Sequence, residues 1–96
     1  MYRLIVKENA TRMAQGAYLW YEGEQLGLGE LFLDELERCY NRLEEYPLIY
    51  AKIKRNFRQV VLRKIPYVVV FEIFGNDVIV YAVFHTSRDP KKKFKK

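Results

Sequence analysis

The sequence predicts an α+β fold in the order β-α-α-β-β-β, with a helical hairpin packed on one face of a mainly antiparallel sheet. Three observations predict it. Apolar residues in the first half recur at helical spacing in two stripes, separated by Gly27-Leu28-Gly29. Pro47 closes the second stripe. From Phe57 onward the period changes to two, and the apolar runs are broken by Ile65-Pro66 and Gly75-Asn76-Asp77. Strands that follow a helical hairpin belong to an α+β arrangement rather than to an alternating parallel sheet.

Tyr2 to Lys7 is short, partly β-branched and bounded by Glu8-Asn9, which makes it the first strand. Asn9 is the expected N-cap of the first helix. Its stripe is Ala10, Met13, Ala14, Ala17, Tyr18 and Tyr21, and Gly16 weakens the helix without ending it. The second stripe is Phe32, Leu33, Leu36, Tyr40 and Leu43, with Glu30, Asp34, Glu35, Glu37, Arg38 and Arg42 turned away. Acids early and arginines late suit the helix dipole. The polar stretch from Ala51 to Asn56 reads as a linker. Phe57 to Lys64 has the length of one strand. Tyr67 to Phe74 is almost continuously apolar, as in a central strand covered on both faces. Gly75-Asn76-Asp77 is a hairpin signal, and Val78 to His85 is the partner strand.

The chain has 96 residues, half of them hydrophobic, which suits a single domain over 1–96 with a basic tail at about 86–96. That composition excludes a disordered or low-complexity chain. No apolar run approaches the roughly 20 residues of a membrane span. The N-terminal apolar stretch, broken by Lys7 and Glu8, does not read as a signal peptide. A lone cysteine, Cys39, forms no internal disulfide and fits a reduced, cytoplasmic setting. The net charge of +5 is unevenly placed. Residues 1–50 carry five basic and nine acidic side chains, and residues 51–96 carry twelve and three. The second half therefore suits a polyanion or an acidic protein, although a lysine tail also serves solubility alone.

Little in the sequence supports metal or cofactor chemistry. One His and one Cys far apart make no ligand set. Gly27-x-Gly29 follows a helix and lacks the Lys-Ser/Thr of a nucleotide loop, so it reads as the hairpin turn. Cys39, beside an apolar stripe, reads as a buried small hydrophobe. Ser87 is the only serine and lies two residues from His85, a poor arrangement for a nucleophile and its base. His85, at a strand end beside Arg58, Arg63, Arg88 and the lysine run, could move a proton on a phosphodiester held by arginines; the bland reading is a local hydrogen bond that caps the sheet edge. Trp20, Tyr21 and Tyr67 could stack bases or simply build core.

Taken in order, the residues resemble a known family. Trp20-Tyr21-Glu22, Gln25, Gly27-Leu28-Gly29, Phe32-Leu33-x-x-Leu36, Pro47-x-x-Tyr50, Arg55, Arg58, Pro66-Tyr67, Ala82-Val83-x-His85 and Arg88-x-Pro90 form a series similar to the RelE/ParE toxins of type II toxin–antitoxin modules. The resemblance spans nearly the whole chain and is nearer the ParE-like branch. It implies a partner, a cognate acidic and partly disordered antitoxin. An amphipathic helix of that partner would lie in a groove between the hairpin and the basic sheet. The residues expected to meet the antitoxin or target are Arg55, Arg58, Arg63, Arg88, Lys91, Lys92, Lys93, Trp20 and Tyr21. Operator DNA would be bound only through the antitoxin complex.

The superfamily's two branches differ in action. The RelE-like branch cuts messenger RNA on the ribosome with basic residues on the sheet and a C-terminal tyrosine. Here those strand positions hold Gln59, Val61 and Val68, and no tyrosine follows Tyr81. The ParE-like branch binds DNA gyrase and needs no such cluster. The resemblance therefore implies a gyrase-directed toxin without catalytic residues, metal or cofactor. The alternatives are a ribonuclease using His85, Arg63 and Arg88, or an inactive remnant that binds only antitoxin or operator DNA.

Overall fold

A computed structural model describes residues 1–62 and 64–86. Strand β1 (Arg3–Val6) leads into helices α1 (Glu8–Glu24) and α2 (Leu28–Glu45). A single 3-10 turn (Pro47–Ile49) follows, then strands β2 (Lys52–Lys54), β3 (Phe57–Val61), β4 (Tyr67–Phe74) and β5 (Asp77–His85). The strands form one sheet in the order β1-β5-β4-β3-β2. Pairing is antiparallel except between β1 and β5, where Arg3 to Val6 run parallel to Asp77 to Val80. The expected α+β class holds, with β4 at the centre of the sheet.

Three local expectations are corrected. The stretch read as a linker contains β2, the edge strand. It is only three residues long, exposed along its length, lysine-rich and bulged, with Arg55 at φ 54° in the turn beyond it. A short charged edge resists pairing with other chains. β3 stops at Val61 rather than Lys64. Asn9 is not the cap of α1. Lys7 occupies that position, because its N–H is bound to the Val80 carbonyl at 2.9 Å, which holds it extended, while its own carbonyl accepts from Thr11 at 3.0 Å. The strand ladder thus sets the helix start, and the Asn9 amide donates instead to the Met13 sulfur at 3.5 Å.

Alternation along β4 divides the core between two sheet faces. Tyr67, Val69 and Phe71, with Val60, Val78, Val80 and Val83, meet Ala10, Ala17, Phe32, Leu36, Cys39 and Leu43 of the helices. Val68, Val70, Ala82 and Phe84 cluster on the other face against Met13 and Phe57. A bulge at Tyr81 keeps Val80 and Val83 on the helix side, since Phe71 pairs with Val80 and Val70 with Ala82. The Tyr81 hydroxyl donates to Glu72 at 2.9 Å.

The hairpin is closed by a carboxylate. Glu22 accepts from the N–H of Gly27 at 3.1 Å and of Gly29 at 2.9 Å, so it caps the otherwise unsatisfied N-terminus of α2 from the preceding helix. Gly27 turns the chain at φ 94°. A Cβ on Gly29 would lie 2.7 Å from the Tyr18 ring, so the two helices meet at a bare backbone. Glu22→Ala is expected to cost about 1–2 kcal/mol, the scale of a lost helix cap, measured as a lower urea midpoint at unchanged slope. An unchanged midpoint would mean water replaces the carboxylate without loss.

Candidate functional site

Gln59, Val61 and Val68, the strand positions weighed for a sheet-borne phosphate site, stand on the face of the sheet away from the helices. Register places Gln59 beside Val70 and Val61 beside Val68. Gln59, Val61 and Val68 are therefore neighbours on that one face, with no charge among them. Val61 is exposed, at 54%, whereas Val68 is buried.

His85 lies on the opposite face. It pairs with Tyr67, and residues directly opposite in antiparallel strands share a face. Its ring meets Tyr67 edge-on at 5.4 Å. Tyr67 continues into a chain of rings: Phe32 at 5.2 Å, Tyr21 at 5.9 Å, and Trp20 a further 5.1 Å beyond Tyr21. Trp20, Tyr21 and His85 are thus brought together through Tyr67, which is core. Burial, then the neighbouring Tyr67, raises the Tyr21 hydroxyl pKa and keeps it a neutral packing group. Trp20 is 59% exposed at the end of this chain.

The predicted arginines lie elsewhere. Arg58 pairs with Phe71, four residues along β4 from Tyr67, and its guanidinium donates to the Tyr50 carbonyl on the helix-facing side. Arg55 is exposed at the β2–β3 turn. The register therefore separates His85 from Arg58 instead of setting them side by side. Arg63, Arg88, Lys91, Lys92 and Lys93 lie outside the described residues, as does the tail beyond Thr86.

Two concave surfaces border the hairpin. A groove of about 500 Å³ runs between α1 and α2, lined by Ala14, Gln15, Tyr18, Leu33, Leu36 and Tyr40 among others. Leu33, assigned by period to the buried stripe, instead opens onto it at 39% exposure. A cleft of about 230 Å³ lies between α2 and the end of β3, lined by Arg38, Cys39, Arg42, Val60, Leu62 and Lys64 among others. Burial pushes the Cys39 thiol up to about 12, so it stays protonated and unreactive at neutral pH. The cleft stands between hairpin and sheet, where the sequence leads one to expect a groove; the groove within the hairpin is not legible there, since it needs two helices in contact. The i, i+4 pair Arg38 and Arg42 was the available signal for the second.

Residues 4–90 match the family described as ParE toxin of type II toxin–antitoxin system, parDE. The chain belongs to the ParE toxin family. Solved structures share the fold. A chain of the chromosomal ParDE toxin–antitoxin system from P. aeruginosa superposes with a TM-score of 0.73 at 16% identity, covering 91% of this chain and 98% of that one. The isolated E. coli RelE toxin gives 0.68 at 18% identity, covering 97% and 93%. The intact E. coli RelBE toxin–antitoxin complex gives 0.69 at 19% identity, covering 92% and 100%. No curated protein sequence matches closely enough to add to this. Among the described residues of this ParE-family chain, no helix is long and apolar enough to cross a membrane.

Proposed function

We propose that this ParE-family toxin arrests growth by binding DNA gyrase in the cytoplasm and is neutralised by a cognate acidic antitoxin encoded beside it. Operator DNA would be reached only through that complex. The observation that carries the gyrase reading over RNA cleavage is the uncharged patch of Gln59, Val61 and Val68 on the outer sheet face. A pentavalent phosphate needs charge stabilisation and proton transfer, and an amide with two valines supplies neither. Arg55 and Arg58 and the basic tail are the residues we assign to contacts with acidic partners, and Trp20 supplies an exposed aromatic anchor of the kind that dominates binding energy.

Induced expression is expected to arrest growth, and co-expression of the product of the adjacent reading frame is expected to restore it. The purified chain is expected to inhibit supercoiling by gyrase in vitro. Harmless expression of a folded product would replace this reading with that of an inactive remnant.

A further inference from the structure

The two concave surfaces differ in charge, and the difference selects an occupant for the smaller one. The hairpin groove is lined by apolar and neutral side chains, and the lining residues named for it include no base. On α2, Glu30, Glu37 and Glu44 recur every seven residues along the flank that carries Leu33 and Tyr40. Arg38 and Arg42 lie on the opposite flank, above the cleft against β3. Lys64 and the exposed Val61 also line it, and the buried Val60, Leu62 and Cys39 form its floor. Glu35 is the one carboxylate in its lining, and it holds Arg38 at 3.4 Å. Tyr50 beside Arg42 raises the arginine's pKa. The pair with Glu35 restricts Arg38, so less of its side-chain entropy remains to be lost when a partner arrives.

We infer that this cleft seats an acidic anchor of the antitoxin: a short segment that lays an aliphatic side chain over Val60 and Leu62 and sets carboxylates on Arg38 and Arg42. The inference rests on the toxin–antitoxin reading above and names the surface used. At about 230 Å³ the cleft takes a side chain or two. It lies below the roughly 300–1,000 Å³ of pockets that enclose a small-molecule ligand. Arginine forks suit carboxylates, and an apolar floor makes the anchor more than a charge contact.

The test is binding of the purified product of the adjacent reading frame to the full chain and to Arg38→Glu/Arg42→Glu. Reversal is expected to weaken Kd by about 100-fold, chiefly in dissociation rate. Lys7→Glu/Arg12→Glu changes net charge equally at the far side of the fold and is expected to weaken it by less than about 3-fold. Equal losses in the two variants, or none in the first, would overturn the inference while leaving the antitoxin reading standing. Arg42→Gln retains helix propensity and a side-chain donor, so an intermediate loss at wild-type melting temperature excludes misfolding as the cause. If the neighbouring product fails to bind wild type, the antitoxin reading fails, and acetyl-Glu-Leu-Leu-Glu-amide decides the cleft. Amide shifts at 38–42 and 60–62 with that peptide, and not with acetyl-Lys-Leu-Leu-Lys-amide, uphold an acidic seat. Shifts elsewhere, or the same with both, overturn it.

Discussion

Phe32→Ala is expected to cost about 3–5 kcal/mol, the range for truncating a buried phenylalanine. Phe32 has no exposed surface. It stacks on Tyr21 at 5.8 Å and meets Tyr67 edge-on at 5.2 Å, so one ring joins α1, α2 and β4. Truncation leaves a cavity where helix backbone, helix backbone and sheet must all shift to refill it, and close-packed interiors do so only in part. A domain of this size is stable by about 5–14 kcal/mol, so the loss is a large share of the total. Guanidinium unfolding is expected to show a much lower midpoint with unchanged slope. Phe74→Ala removes a ring that is 68% exposed and is expected to change stability by less than about 0.5 kcal/mol. A similar loss at both positions would mean that burial of the ring between helices and sheet does not set its contribution.

What was legible in the sequence follows from which features are local. Phe32, Leu36 and Leu43 are fixed by helical period, and all are buried. The apolar run of β4 is read without pairing information, and its burial on both faces agrees. β2 is not legible because Lys52-Ile53-Lys54, although it alternates, is too short to read as a strand; only pairing with β3 makes it one. The parallel pairing of β1 with β5 joins the two ends of the described chain and leaves no local trace. Asn9 is a good cap by propensity, and the Lys7–Val80 ladder bond overrode it. Leu33 lies at the margin of its stripe, where period alone does not separate core from groove. The Glu22 and Gly29 positions carried the resemblance, and their physical role, one carboxylate closing the hairpin, appears only once the helices are in place. At the candidate site, sequence brought together His85 and the basic residues of the second half. The fold puts His85 in a ring cluster facing the helices, and Arg58 beneath the Tyr50 carbonyl.

That placement yields an expected result for the mechanism. In arrested cells, messenger RNA is expected to stay intact, while supercoiling is inhibited and the cells filament with damaged DNA. His85→Ala is expected to leave growth arrest within about twofold of wild type, since a side chain packed edge-on against a buried tyrosine has no substrate proton to move. A ribonuclease would behave otherwise. Loss of its general acid or base would slow cleavage by about 10²–10⁴-fold, and toxicity would fall with it. Removing Lys91 to Lys96 is expected to matter more than His85, because attraction of a basic tail to an acidic target survives without fixed geometry and weakens with salt. The direct measurement is the mapping of message 5′ ends after induction. New ends placed by codon position within minutes, lost in His85→Ala, would overturn the gyrase reading. They would require that His85 reach a phosphate from the helix-facing side of the sheet.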